Sequence, residues 1–152
     1  MYGDLTGYAE ITNVRSTNNQ FNHGGLFILS YISFYMKNVT FEVNSVPSLI
    51  SIAGCHSFVL ENLYASGNEI SDSLLSISAS VGNIDGISIF DSKGLFDARS
   101  IVIRESRCVI NQVFAYGNNF TSQGGVINCI SSELLGERIV AEYVHSIVNN
   151  IH

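Results

Sequence analysis

The side chains with the clearest potential for catalysis are two carboxylates, Glu61 and Asp85, which occupy the same position in two consecutive repeats of the chain. Stacked repeats would bring them within roughly 5 Å of each other, the separation of the two carboxylates in a retaining glycosidase. A glycosidase also needs a cleft that fits a sugar and one acid that is desolvated beside it. The alternative interpretation is a solvated surface on which Lys37 balances the charge of Glu61, and this requires no cleft and no desolvated acid. We therefore expect that the chain has no catalytic residues. If it is an enzyme after all, Glu61 and Asp85 are the catalytic candidates.

Lyase chemistry would need carboxylates that hold calcium and a basic residue that removes a proton. Only one part of the chain mixes both signs of charge locally, at Asp91, Asp97, Arg99, Arg104 and Arg107. These residues are scattered and match no lyase motif. The sequence therefore predicts neither a metal site nor a cofactor.

The histidines and cysteines form no reactive cluster either. The four histidines occupy different phases of the repeat, and lone histidines in turns are usually solvated. The three cysteines, Cys55, Cys108 and Cys129, are widely spaced and include no CxxC pair. Cys108 and Cys129 fall at positions that face the interior, where a cysteine behaves as a small buried hydrophobe. A disulfide framework and a zinc site are therefore both disfavoured.

Four aromatic residues are the candidates for binding. Tyr64 and Phe114 follow an aliphatic column of the repeat by one residue, and Phe90 and Tyr116 follow it by three. Strand alternation places such residues on the outside. Exposed rings on a flat sheet can stack on sugar faces or contact a protein partner, unless a lateral loop covers them.

A repeat positions all of these candidates. The stretches Phe58–Ile77 and Cys108–Cys129 share one order of apolar, amide, small and Gly-Asn positions, and the spacing between them leaves room for one more unit. Aligning the whole chain gives a reference column that recurs at nearly constant intervals: Asn13, Asn38, Asn62, Gly86, Gln112 and Arg138. The residue after each is aliphatic, and the residue two before is aliphatic or Met in five cases of six. Such columns predict one short strand in each unit.

A second apolar segment follows about ten residues later in each unit. Its pattern is apolar-apolar-any-apolar after Gly or Ser, and in the fourth unit we place it at Leu95–Ala98. This placement leaves Ser100–Ser106 as additional residues, so the fourth unit is expected to be irregular. Each unit thus holds two strands separated by corners, as one coil of a parallel β-helix does.

The repeat predicts an all-β fold, a parallel β-helix of about six coils with a period of about 25 residues; the family resemblance given below implies that it is right-handed. A leucine-rich repeat has a similar period, but its Leu-x-x-Leu-x-Leu signature is absent. An antiparallel sandwich gives no reason for fixed columns. We expect residues 1–152 to form a single domain, a segment of a longer solenoid that makes end-to-end contact with further coils.

Composition narrows the classes of function. The 152 residues are 46% hydrophobic and only 13% charged, with seven basic against thirteen acidic side chains and no basic cluster. A nucleic-acid partner is therefore disfavoured. The sequence shows neither a membrane span nor a signal peptide.

The chain resembles the right-handed parallel β-helix repeats of the pectin-lyase-like superfamily, and most of all the Asn- and Ser-rich repeats in surface proteins of unicellular eukaryotes. The likeness rests on the Asn-aliphatic step, on Gly-Asn corners such as Gly67-Asn68 and Gly117-Asn118, and on Gly-Gly-apolar strands such as Gly124-Gly125-Val126. It covers nearly the whole chain. It implies the coil architecture, which hosts enzymes, adhesins and spacers alike.

The amides of the reference column are expected to form a buried structural ladder at a corner, with Asn13, Asn38 and Asn62 stacked and Gln112 further along. Asn38 also begins a glycosylation sequon, but its place in the ladder argues against modification. Asn119, in the sequon Asn119-Phe120-Thr121, is the better acceptor.

An intact repeat without an assembled set of reactive side chains favours a non-enzymatic structural or adhesive module. We expect it at the cell surface or outside the cell, as part of a larger protein, with a glycan or a protein bound on an outer sheet face. The alternative is a carbohydrate-active enzyme, either a polysaccharide lyase or a glycoside hydrolase. An intracellular scaffold is the third hypothesis.

Overall fold

The computed structural model describes residues 7–95, 98–120, 126–142 and 148–151. Within these ranges all regular structure is β-strand, so they contain no helix that could span a membrane. The first sheet contains β1 (Gly7–Thr17), β3 (Ile32–Glu42), β5 (Phe58–Ser66), β7 (Val81–Phe90), β10 (Arg107–Tyr116) and β12 (Glu133–Glu142). The second sheet contains β2 (Gly25–Ser30), β4 (Ser45–Ala53), β6 (Glu69–Ser78), β9 (Arg99–Arg104), β11 (Ile127–Ile130), β13 (Val148–Ile151) and the two-residue β8 (Lys93–Gly94).

Strands one coil apart pair in parallel, which confirms the predicted parallel β-helix. The sheets run in the orders β1-β3-β5-β7-β10-β12 and β2-β4-β6-β9-β11-β13, with β8 beside β6. One column of the register passes from Ile11 to Met36, Leu60, Ile84 and Ile110, so successive coils keep the predicted period. Six stacked strands in the first sheet correspond to about five full turns.

The reference column of the repeat is a column of left-handed backbone inside the first sheet. Asn38 has a φ of +53°, and the pairing of β3 with β5 skips it: Lys37 lies beside Glu61, and Val39 lies beside Leu63. Strand alternation therefore restarts after this residue, and Val39 points inward although Lys37 points outward. Asparagine suits the position because its short polar side chain tolerates the left-handed region.

Two further left-handed columns turn the chain between the sheets. After the first-sheet strands lie Asn18, Val43, Gly67, Asp91 and Gly117, and after the second-sheet strands lie Tyr31, Gly54, Ala79, Glu105 and Ser131. A β-branched residue such as Val43 is a poor choice for this backbone. The stacking of coils therefore imposes the conformation at positions where the local sequence does not favour it.

The core lies between the two sheets and is built from inward columns of aliphatic side chains. Leu63 and Val113, from the column that follows the reference position, are fully buried, as the repeat predicts. Phe34 and Phe58 stack in neighbouring coils with ring centroids 5.5 Å apart. The next residue in that column is Gly82, where a Cβ would collide with the Phe58 ring. Glycine at this position therefore leaves space for the Phe58 ring, and the aromatic stack ends there.

The structure corrects the prediction for the fourth coil. Its second-sheet strand is Arg99–Arg104, not Leu95–Ala98, of which residues 96–97 lie outside the described ranges. Ile101 lies beside Leu75 and Ile103 beside Ile77, so this coil keeps the regular period of its neighbours. The prediction was wrong because both segments match the apolar pattern, and only the pairing with β6 selects between them.

Candidate functional site

The four predicted binding aromatics lie together on the outer face of the first sheet. Tyr64 and Phe114 belong to one outward column, in which Ser88 lies between them. Phe90 and Tyr116 are direct neighbours in the next outward column. We call these four residues the aromatic patch. It spans the three adjacent strands β5, β7 and β10.

The rings of the aromatic patch are partly open to solvent. Tyr64, Phe114 and Tyr116 are 37%, 39% and 47% exposed. Tyr64 and Phe90 touch through tilted rings whose centroids are 5.6 Å apart. Their outward direction follows from the left-handed column, because the restart of alternation turns Leu63 inward and therefore Tyr64 outward. The left-handed column thus determines that the Tyr64 ring lies on the outer face of the sheet.

Polar groups border the aromatic patch. A Cβ added at Gly117 would collide with the carboxylate of Asp91, which places this acidic group at the corner beside Phe90 and Tyr116. Ser88, between the two rings of the first column, adds a hydroxyl group. The arrangement combines flat apolar rings with a few hydrogen-bonding groups, the usual composition of a ligand-binding site.

The catalytic candidate Glu61 belongs to a charged network on the same face. Its carboxylate accepts a hydrogen bond of 2.8 Å from the Tyr35 hydroxyl and lies 2.9 Å from the Lys37 ammonium, as predicted for Lys37. The hydrogen bond from Lys37, and then that from Tyr35, lower the pKa of Glu61, while Glu61 raises the pKa of both partners. A general acid needs a raised pKa, so this setting is the opposite of the one required.

The second candidate, Asp85, lies one coil from Glu61 in the same register. It is exposed, and within the described part of the chain its carboxylate has no hydrogen bond or ion pair. The two carboxylates are therefore neighbours on an open face, where water can solvate both of them. The register places Glu61 and Asp85 on neighbouring coils, as the repeat predicts, and the described residues supply no desolvated acid beside them.

The predicted ladder at the reference column is exposed, which corrects the expectation of buried amides. The Asn38 amide donates to the side-chain oxygen of Asn13, and Asn62 donates to that of Asn38, both at 3.0 Å. Gly86 then interrupts the column before Gln112, whose side chain makes no hydrogen bond with the described residues. We call Asn13, Asn38 and Asn62 the outer ladder.

A second ladder, buried from Asn44 to Asn118 and half-buried at Asn19, lies at the corner that follows each of the first five first-sheet strands. We call it the inner ladder: Asn19, Asn44, Asn68, Ser92 and Asn118. The Asn68 side-chain oxygen accepts both the backbone N–H and the amide of Asn44, and its own amide donates to the carbonyl groups of Phe41 and Ser66. Sequence reasoning noted the Gly-Asn corners but did not assign them this role. Their recurrence at coil intervals was the available signal.

The second glycosylation candidate, Asn119, is exposed and forms a bridge with Lys93 of the neighbouring coil. Thr121 of its sequon lies outside the described residues. The amide of Asn38, in the first sequon, is engaged in the outer ladder.

All three cysteines are buried and none forms a disulfide. Burial, with a smaller contribution from Cys129, raises the pKa of the Cys108 thiol to about 12, and burial also raises the pKa of Cys129. These two thiols therefore stay protonated at neutral pH and are poor nucleophiles. Among the described residues, no three His, Cys, Asp or Glu side chains are grouped to hold a metal ion.

Comparisons with known proteins find nothing similar to this chain. The chain matches no family model, no curated protein and no solved structure.

Proposed function

We propose that this chain is a non-enzymatic adhesive β-helix module, exposed at the cell surface or outside the cell, that binds a glycan through its aromatic patch. The observation that carries the proposal is the convergence of Tyr64, Phe90, Phe114 and Tyr116 on three adjacent outer strands. Exposed contiguous aromatic surface on a folded domain marks an interaction site.

A glycan suits this surface better than a deeply inserted small ligand. Three successive coils, about 4.8 Å apart, each carry a ring of the patch, with Tyr64 on β5, Phe90 on β7, and Phe114 and Tyr116 on β10, although Tyr64 and Phe90 lie in different columns. This spacing is close to the length of one pyranose unit in an extended chain. Successive sugars could thus contact successive coils. Glu42 and Asp91 border the same columns, and the chain carries a net charge of −6, so neutral glycans are favoured over anionic ones.

We further propose membership of the right-handed parallel β-helices of the pectin-lyase-like superfamily. The coil period, the stacked asparagines and the left-handed residue within each first-sheet strand support this assignment. A non-enzymatic role is favoured because Glu61 has a lowered pKa on an open face and because Asp85 is solvated there.

The test is binding to an array of neutral glycans and uronans, followed by titration of the glycans retained. A neutral glycan should bind, and Tyr64→Ser combined with Phe114→Ser should weaken that binding at least about tenfold, because stacking of one sugar on one ring contributes roughly as much as an aromatic pair. Tyr8→Ser is the matched control, since Tyr8 is an exposed ring of the same sheet on β1, away from the aromatic patch.

Two results would overturn the proposal. One is the absence of glycan binding together with capture of a protein that needs the same two rings. The other is turnover of a glycan, seen as new reducing ends or as ultraviolet absorbance of an unsaturated product, that Glu61→Gln or Asp85→Asn abolishes.

A further inference from the structure

A polar cavity lies on the outer face of the second sheet. Its volume is about 210 Å³, and strands β6 and β9 supply its walls: Asp72, Ser73, Ser76, Arg99, Val102 and Arg104. Pockets for whole small molecules usually exceed roughly 300 Å³. This cavity therefore suits one charged group of a larger ligand.

The charges around the cavity differ from those elsewhere on the chain. Four of the seven basic residues pair with glutamates: Arg15 with Glu42, Lys37 with Glu61, Lys93 with Glu69, and Arg107 with Glu133. In contrast, Arg99 and Arg104 form no ion pair with the described residues, and neither does Arg138 on β12 of the first sheet. Two guanidinium groups without an ion pair among the described residues thus border one cavity, whose lining also contains the Asp72 carboxylate, on a chain of net charge −6.

The donors surround the cavity from different sides. Arg99 and Arg104 begin and end β9, and the register places Arg99 beside Ser73 and Val102 beside Ser76 on the neighbouring coil. Guanidinium groups can therefore approach from both ends of one strand, and serine hydroxyl groups from the next. A planar carboxylate is satisfied by a single bidentate arginine, whereas a tetrahedral oxyanion uses donors from several directions.

We propose that this cavity binds a tetrahedral oxyanion, the sulfate or phosphate monoester group of a hydroxylated ligand. Arg99 and Arg104 would hold the anionic oxygens, and Ser76 would donate a further hydrogen bond. Asp72, the acidic residue among the described part of the lining, would accept a hydrogen bond from a hydroxyl group of the same ligand and disfavour a bare anion of high charge. Among the described residues of the lining, two arginines and one aspartate give a net charge of +1.

The site is on the sheet opposite the aromatic patch, so its test is independent of the proposed function. The experiment is calorimetric titration of the whole chain with sodium sulfate, sodium phosphate, glucose 6-phosphate and sodium acetate at matched ionic strength. We expect saturable binding of sulfate and phosphate, tighter binding of glucose 6-phosphate, and at least about fivefold weaker binding of acetate. Glucose without a phosphate should show no binding that depends on Arg99 and Arg104.

Arg99→Gln with Arg104→Gln should weaken binding of glucose 6-phosphate at least about tenfold, because each change removes charge-assisted hydrogen bonds. Arg107→Gln is the matched control, since its guanidinium group is engaged by Glu133 on the first sheet. If the double glutamine variant fails to fold, Arg99→Lys with Arg104→Lys takes its place and should still weaken binding about fivefold, through loss of the bidentate geometry. Unchanged affinity in the folded variant, equal affinity for acetate, or no saturable binding by the natural chain would each overturn the proposal.

Discussion

Asn38 and Asn44 are near neighbours in the chain, and each stacks on an asparagine of the neighbouring coil, yet their surroundings differ. Asn38, in the outer ladder, is exposed, and among the described residues its side chain bonds only to other ladder amides. Asn44, in the inner ladder, is 1% exposed and donates to the Ser16 carbonyl as well as to Asn68. The same residue type at the same period therefore serves two different purposes.

The difference shows what a stacked amide contributes in each place. Water can replace the hydrogen bonds of the outer ladder, so their net contribution to stability is small. The inner ladder satisfies backbone groups at a corner from which water is excluded, and a buried group left unpaired costs about 1–3 kcal/mol. The following predictions test this contrast between inside and outside, beginning with the largest expected effect.

The sharpest contrast falls between adjacent residues of β5. Leu63 is 1% exposed and Asn62 is exposed, so Leu63→Asp should lower the free energy of unfolding by more than about 4 kcal/mol through an unpaired buried charge. Asn62→Asp should cost only about 1 kcal/mol, because water solvates the new carboxylate. Urea denaturation followed by circular dichroism measures both. Equal losses would mean that the chain does not turn inward after the left-handed residue.

The inner and outer ladders can be compared directly through one substitution. Asn68→Ala leaves the carbonyl groups of Phe41 and Ser66 and the N–H of Asn44 without their partner, and should cost about 3 kcal/mol. Asn38→Ala should cost about 1 kcal/mol, part of it from alanine in a left-handed backbone. The measurement is the difference in urea unfolding free energy between the two variants. A larger loss at Asn38 would reverse the assignment of the structural ladder.

Relief of backbone strain in the outer column should have a smaller effect, and it should raise the free energy of unfolding. Gln112 has a φ of +56° and no side-chain hydrogen bond with the described residues. Gln112→Gly should therefore stabilise the chain by up to about 1 kcal/mol, because glycine adopts this backbone without the clash between Cβ and the carbonyl oxygen. Gln112→Val is the control and should destabilise it. Thermal unfolding midpoints that move in the reverse order would contradict the left-handed assignment.

The smallest effect concerns the charged network beside the outer ladder. The pKa of Glu61 is lowered from its ordinary value of 4.5, so the ionised form is favoured in the folded state. The stabilisation is thus present above pH 4.5 and is lost as the pH falls through the lowered pKa of the folded chain. Glu61→Gln should melt slightly below the natural chain at neutral pH, and the two melting temperatures should converge in acid, below that lowered pKa. A gap that does not change with pH would show that charge is not the cause.

Much of the architecture could be predicted from spacing, because stacked coils require compatible side chains at every step. The columns Ile11–Ile110 and Asn13–Arg138 were visible as residue types that recur at nearly constant intervals, and the outward direction of Tyr64 and Phe114 followed from alternation. The strand of the fourth coil was misplaced because Leu95–Ala98 and Ile101–Ile103 both fit the apolar pattern. The local sequence of the two segments does not show which of them pairs with β6.

The sequence alone determined the period, the parallel stacking and the identity of the inward columns, because these are properties of residue order repeated along one chain. Tertiary structure decided which asparagines are shielded from water, that four rings on three strands form one surface, and that Arg99 and Arg104 share a cavity without carboxylate partners among the described residues. Burial and charge pairing depend on residues that are distant in the chain. They are defined only when the coils lie against one another.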